Sequence, residues 1–311
     1  MNQGHFATVK RHPTDFIFHI CSQRDIRTIH MDESSLLKEA TSNTLYSYVA
    51  GVAYQMHKKY LVKGLEIHNT ASTIPLKSGL GASGAICVLV AKAFNQAYNL
   101  HLSPKEEMEI AYLGEITAQS SCGRMDQACA FGNRPILMSF DGDNVDIQEL
   151  DVGKDLFFVI VESGGTNDTK EILASLRECY PKAENSLQEA VQRYLGPINK
   201  EIVSQAAQAI KEGNAEKIGT LMRHAQAQFD LNLIPACPEQ LAGPKLHAIL
   251  NYPPIQQYIY GGKGTGAQGN VCVQFIAKDA KSQKKIIEII ENTLSIPCLP
   301  LTIPAERCSD K

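Results

Sequence analysis

Pro75-Leu-Lys-Ser-Gly-Leu-Gly-Ala-Ser-Gly-Ala85, running on into Ile86-Cys-Val-Leu-Val-Ala-Lys-Ala-Phe-Asn95, decides how the rest of the chain is read. Gly79, Gly81 and Gly84 remove Cβ where a backbone turns sharply or approaches a ligand. The segment behind them is rich in helix formers and apolar nearly all round, so it predicts a buried helix. A glycine-rich loop that opens a helix presents unpaired N–H groups and the positive end of the helix dipole, a ready anion site. Ser83 adds a hydroxyl in the first turn, where it could ligate a magnesium ion held on a polyphosphate. The same glycines also suit a tight strand-to-helix turn whose only purpose is packing, and a short match does not choose between the two.

The bulk numbers narrow the class. At 311 residues the chain has room for two ordinary domains or one large one, each with a full core. Its 44% hydrophobic and 20% charged residues are those of a globular protein, and a net charge of −3 gives no reason to expect nucleic acid or an anionic membrane as partner. No apolar run approaches the length of a membrane span, and the first residues do not form a signal peptide. The nine cysteines contain no CxxC pair. That pattern predicts reduced thiols and a cytoplasmic location, without a disulfide framework or a zinc site.

Along the chain, Phe16–Ile20 and Ile26–Ile29 read as strands, and Asn43–Lys59 as a helix with Leu45, Val49, Val52, Ala53 and Met56 on one face. Leu65–Asn69 alternates like a strand and leads into the glycine loop. Ser103-Pro-Lys-Glu106 is a helix start signal, with Ser103 as the cap. Further strands are expected at 136–140, 145–150 and 157–161, and mostly helix over 182–230. A second glycine loop is expected at 261–269, before strand 271–277 and helix 280–294. The domain boundary is expected near 160, giving domains 1–160 and 161–311. None of the histidines shows metal-ligand spacing.

Three features now coincide in order. Pro75–Ala85 resembles the Pro-x-x-x-Gly-Leu-Gly-Ser-Ser-Ala-Ala signature of the GHMP kinase superfamily. Cys122-Gly-Arg-Met-Asp-Gln127 is similar to the Cys-Gly-x-Met-Asp-Gln of its galactokinases and related sugar kinases. Gly262-Lys-Gly-Thr-Gly-Ala-Gln-Gly269 resembles the superfamily's C-terminal glycine motif. The resemblance implies a two-domain α+β fold, its N-terminal domain like ribosomal protein S5 domain 2 and its C-terminal domain ferredoxin-like, with ATP and magnesium bound in a cleft.

It also implies roles, residue by residue. Pro75, Lys77, Ser78, Gly79, Leu80, Gly81, Ala82, Ser83, Gly84 and Ala85 would cradle phosphates, and Gly262, Lys263, Gly264, Thr265 and Gly266 would close over them. Ser83 and Glu115 would hold Mg2+, since magnesium prefers hard oxygen donors; Glu115 otherwise reads as an ordinary exposed helix carboxylate. Asp126 would be the catalytic base that takes or aligns the acceptor hydroxyl's proton; its other reading is a helix cap. Arg124, Asp126, Thr166 and Asp168 are the candidate substrate contacts. Arg124 also reads as a surface residue, and the 166–171 stretch as an ordinary capping sequence.

The pattern departs from the superfamily in two places. Ala82 replaces the first serine of the signature. No Pro-Gly-Arg segment or acceptor-binding segment matches in residues 1–40, so the chain is expected to start just after them. Lys10 and Arg11 are the candidates for the basic partner of Asp126. The expected activity is ATP-dependent phosphorylation of a hydroxyl on a sugar or sugar derivative. The alternatives are a mevalonate-type kinase acting on a hydroxy acid, to which the eleven-residue spacing from Glu115 to Asp126 leans, and a non-catalytic nucleotide or sugar sensor.

Overall fold

The computed structural model describes residues 4–20, 25–74, 80–120, 122–132, 134–142, 144–165 and 167–305. They fall into two compact units, Met1–Asn133 and Arg134–Lys311.

In the first unit, strands β1 (His5–Arg11), β2 (Asp15–Ile20) and β3 (Asp25–His30) precede helices α1 (Glu33–Ala40) and α2 (Ser47–Tyr60). Strand β4 (Leu65–Ser72), α3 (Ala82–Tyr98), α4 (Pro104–Thr117) and a 3-10 turn at Asp126–Phe131 follow. The sheet order is β1-β4-β2-β3, with β4 antiparallel to β1 and parallel to β2. Alternation sets its two faces. Phe16, Phe18, Leu65 and Ile67 point into the core with Met56, Phe94 and Met108, while Ile17, His19, Glu66 and His68 lie on the opposite face. Phe16 stacks on Phe94 of α3 with ring centroids 5.9 Å apart. Helices α2 and α4 cross at Gly51 and Gly114, where a Cβ on Gly51 would stand 2.2 Å from the Gly114 carbonyl oxygen. Helix α2 begins four residues later than its sequence suggests, and Leu45 is left outside it, half exposed.

The second unit opens with a two-stranded ribbon, β5 (Ile136–Asp141) and β6 (Asn144–Glu149). Strand β7 (Leu156–Glu162) then leads to α5 (Thr169–Arg177), α6 (Ser186–Arg193), α7 (Asn199–Glu212), α8 (Ala215–Asn232), α9 (Pro238–Leu241) and α10 (Pro244–Leu250). Strands β8 (Ile259–Gly264) and β9 (Cys272–Ala277), helix α11 (Ala280–Leu294) and β10 (Cys298–Ile303) close it. Its antiparallel sheet has the order β10-β7-β9-β8. Taking β7, β8, β9 and β10 as first to fourth, this is the β-α-β-β-α-β ferredoxin-like arrangement. Val159, Val161, Val273 and Phe275 pack beneath α11 through Ile286 and Ile290.

Two expectations are corrected here. The boundary expected at 160/161 would cut β7, which is bonded on both edges within the second sheet; the compact units divide at 133/134 instead. Residues 261–264 form no loop, because Gly262, Lys263 and Gly264 are strand residues paired with Phe275, Gln274 and Val273. Their glycines serve close packing. A Cβ on Gly261 would meet the Gly219 oxygen of α8 at 2.1 Å, and one on Gly262 would meet the Phe275 ring at 2.5 Å. No helix among the described residues is long and apolar enough to cross a membrane.

Candidate active site

The site of the first unit forms where three elements meet: the N-terminus of α3, the end of α4 and the 3-10 turn at 126–131. Helix α3 starts from Gly81, whose φ of 69° is left-handed, and no side chain caps it. Its first backbone bond runs from the Ala85 N–H to the Gly81 oxygen, so the amides of Ala82, Ser83 and Gly84 precede the helical ladder. By contrast, Ser103 caps α4 in a full capping box with Glu106.

Asp126 lies directly against this turn. A Cβ on Gly81 would stand 3.0 Å from the Asp126 carboxyl carbon, and one on Gly84 would stand 2.8 Å from the Asp126 Cβ. Both glycines are therefore required by the aspartate behind them, and Gly81 also by its left-handed backbone. Asp126 stays open to solvent on one side while α3 crowds it on the other, and that desolvation raises its pKa above the ordinary aspartate value.

Glu115, near the end of α4, is fully buried. One carboxylate oxygen accepts a 2.8 Å hydrogen bond from Gln127 Nε2, and the other has no partner. Burial raises the Glu115 pKa; Cys122, Ser83 and Gln127 beside it act in the opposite direction, and the like charge of Asp126 adds to the rise. The Cys122 thiol, which also faces Gln127 Nε2, is pushed up to about 12, chiefly by burial and then by Glu115. Leaving a buried carboxylate oxygen unbonded is costly unless something else uses it. The Glu115 carboxylate, with the Ser83 hydroxyl beside it, is the kind of hard-donor pair that magnesium takes, so the residues fit the ion.

The structure thus brings together Gly81, Ala82, Ser83, Gly84, Glu115 and Asp126, with Leu80 and Ala85 flanking the turn. Pro75, Lys77, Ser78 and Gly79, and also Thr166, lie outside the described residues. Glu115 is no exposed helix carboxylate. Gln127, the last residue of the Cys122–Gln127 stretch, is fully buried and ties Cys122 to Glu115, and its own carbonyl oxygen is unpartnered. Its position one residue after the aspartate was the only signal in the sequence.

Other candidates are held elsewhere. Arg124 makes a two-pronged pair with Glu109 of α4, at 2.8 and 3.0 Å, and lies over the Tyr112 ring. Asp168 is the cap of α5, accepting from the Lys170 and Glu171 N–H groups. Neither Lys10 nor Arg11 fills the expected role beside Asp126. Lys10 pairs with Glu66 at 2.9 Å; Arg11 donates to the Ala97 carbonyl and stacks on Tyr98. In the second unit, the Gly264 N–H is taken by Gln226 and the Thr265 N–H by the Cys272 carbonyl. Lys263 is pushed down to about 8 by burial, and Gly266 sits in a left-handed turn beyond the strand. The second glycine run therefore offers no row of free amides at 264–265.

Residues 47–133 match the family model of the GHMP kinases N terminal domain. The chain is 25% identical over 227 residues to a mevalonate kinase of Thermococcus sibiricus, covering 71% of this chain and 62% of that protein. It is 27% identical over 229 residues to a galactokinase of Thermococcus kodakarensis, covering 66% and 64%. It thus spans a little under two thirds of the length of these relatives. Among solved structures, it superposes on Lactococcus lactis galactokinase complexed with galactose with a TM-score of 0.77 at 16% identity, covering 98% of this chain and 86% of that one. For Methanococcus jannaschii mevalonate kinase the values are 0.66 and 17%, covering 96% and 88%. The chain has the GHMP kinase fold, and residues 47–133 of its first unit match the model of that N-terminal domain.

Proposed function

We propose that the protein is an ATP-dependent small-molecule kinase that phosphorylates a hydroxyl of a sugar or sugar derivative. The carrying observation is Glu115, a fully buried carboxylate with one unpartnered oxygen, which the Ser83 hydroxyl approaches from a turn whose glycines make room for Asp126. Phosphoryl transfer asks little covalent chemistry of a protein; it asks for positioning and charge neutralisation. The first-turn amides of α3 and its dipole would bind the phosphates of ATP. Ser83 and Glu115 would hold Mg2+, which supplies neutralisation of phosphate charge. Asp126, open to solvent on one side, would align the acceptor hydroxyl and take its proton. Its pKa, raised by burial, makes it a better base than an ordinary aspartate. Gln127 would fix the Glu115 carboxylate from behind.

A hydroxy acid is the second reading of the acceptor, supported by the similarity to a mevalonate kinase. A non-catalytic sensor has less use for a buried, half-bonded carboxylate next to Asp126. The deciding experiment incubates the purified chain with Mg2+, ATP and a panel of sugars, uronic acids, heptose phosphate and mevalonate, and follows ADP release and the phosphorylated product. Stoichiometric product with one sugar supports the leading reading, and product with mevalonate alone moves the acceptor to the hydroxy acids. ATP binding without turnover on any of them contradicts the kinase.

A further inference from the structure

The outward face of the first sheet carries a second cluster of chemistry, unrelated to the kinase reading. His19 of β2 and His68 of β4 are direct neighbours across the parallel pair, and Glu66 lies two residues before His68 on the same face. Both imidazole Nε2 atoms converge on one oxygen of Glu66, at 3.1 Å from His19 and 2.9 Å from His68. The two rings stack with centroids 3.7 Å apart and an angle of 19° between planes. Among the described residues, this is the one group of three metal-ligating side chains whose donor atoms all lie within 4.8 Å of one another. Sequence spacing hid it, because 47 residues separate His19 from Glu66.

We propose that His19, Glu66 and His68 form a binding site for a zinc-class divalent transition metal, which would staple β2 to β4. Tetrahedral zinc holds its ligands at about 2.0–2.1 Å, which sets neighbouring donor atoms roughly 3.3 Å apart. The two nitrogen-to-oxygen distances are within a few tenths of an ångström of that edge, so small side-chain adjustments admit the ion. Two imidazoles and one carboxylate select zinc, copper or nickel over magnesium or calcium. Three protein ligands leave the fourth position to water, since the side chains keep 15–46% of their surface exposed. Lys10 competes for the site: its ammonium is 2.9 Å from the other Glu66 oxygen, on a side chain 73% exposed that can turn away into solvent.

The test is calorimetric titration of the chelator-stripped full chain with zinc chloride, comparing the unmodified protein with His68→Gln, His19→Gln and Lys10→Ala. The expected result is one equivalent bound by the unmodified chain. Either histidine variant should bind more weakly by at least the roughly 10–100-fold that loss of an outer partner costs a metal site. Lys10→Ala should bind more tightly. Zinc should raise the melting temperature of the unmodified chain and not that of the histidine variants, whose metal-free melting is unchanged if the fold is intact; two variants guard against one misfolding. Cobalt(II) in place of zinc should give the visible bands of a four-coordinate nitrogen and oxygen site. No zinc uptake overturns the proposal. So does uptake undiminished in both histidine variants with a thiolate-to-cobalt charge-transfer band, which would assign binding to the cysteines.

Discussion

Two glycine-rich runs, 79–85 and 261–269, look alike in the sequence and differ in the structure. At the first, Gly81 turns left-handed, α3 starts uncapped, and Asp126 fills the space that side chains on Gly81 and Gly84 would occupy. At the second, residues up to Gly264 are drawn into β8, and their missing side chains admit α8 and the Phe275 ring. Glycine removes a Cβ in both places. In one the space goes to Asp126, and the amides of Ala82, Ser83 and Gly84 precede the first helical bond; in the other it goes to packing, and the Gly264 and Thr265 amides are bonded.

The largest effect should come from the carboxylate that the first run accommodates. Asp126→Asn is expected to lower turnover by about 10²–10⁴-fold, as for a positioned base, with ATP affinity by calorimetry changed only a few-fold. Parallel loss of both would make Asp126 a structural residue of the turn. Next, the paired variants Gly84→Ala and Gly261→Ala should part company. Gly84→Ala drives a methyl to 2.8 Å from Asp126 and should abolish most activity. Its stability should fall less than that of Gly261→Ala, since the roughly 1 kcal/mol that Ala gains over Gly within a helix offsets part of the overpacking. Gly261→Ala puts a methyl 2.1 Å from a backbone oxygen of α8 and should cost about 1–3 kcal/mol or more through overpacking, read as a lower melting temperature. If Gly261→Ala instead spares stability and removes ATP binding, the contrast between the runs fails.

Smaller shifts should appear in stability against pH. The folded-state pKa of Glu115 lies above its unfolded value of 4.5, chiefly through burial. Such a group contributes stability that is complete below the unfolded pKa and is lost as pH rises through the folded one. Without magnesium, the chain should therefore lose stability as pH rises from about 4.5 through the raised pKa. Glu115→Gln should flatten that loss and raise the neutral-pH melting temperature, at about 2–4 °C per kcal/mol, while removing activity. A lower melting temperature would mean that the carboxylate is structural. The smallest effect on ligand binding is expected at Lys263. Its pKa, brought down to about 8 from 10.5 by burial, means that the unfolded chain binds more protons between these values, so stability should rise with pH across that window. Lys263→Met should remove this slope and leave ATP affinity unchanged; a large loss of affinity would return Lys263 to the phosphates.

Local signals in the sequence were reliable. Ser103, Pro104 and Glu106 announced α4, and the capping box is present with its reciprocal bonds. The strands expected at 16–20 and 65–69 are β2 and β4, and Phe16, Phe18, Leu65 and Ile67 of these strands are core residues. Ser83 and Asp126 are candidates because they sit in short contiguous stretches that carry the resemblance; Glu115 lies outside those stretches and is a candidate only through its place eleven residues before Asp126. What escaped depended on contacts made only on folding. The Gln127 bond to Glu115 needs α4 to meet the 3-10 turn. The pairing of Lys10 with Glu66 and the histidines around the same carboxylate need β1, β2 and β4 side by side. The strand character of 261–264 is set by Phe275 and α8, which local composition does not record.

The central claim, that the turn at Gly81–Ala85 with Glu115 is the site of magnesium-dependent nucleotide binding, is tested most directly by calorimetry of ATP binding with and without Mg2+. The unmodified chain, Ser83→Ala and Glu115→Gln would be compared. The unmodified chain should bind ATP more tightly with magnesium, and both variants should lose most of that gain while keeping their magnesium-free affinity. An equal magnesium gain in all three would place the ion, and with it the phosphates, somewhere other than the N-terminus of α3.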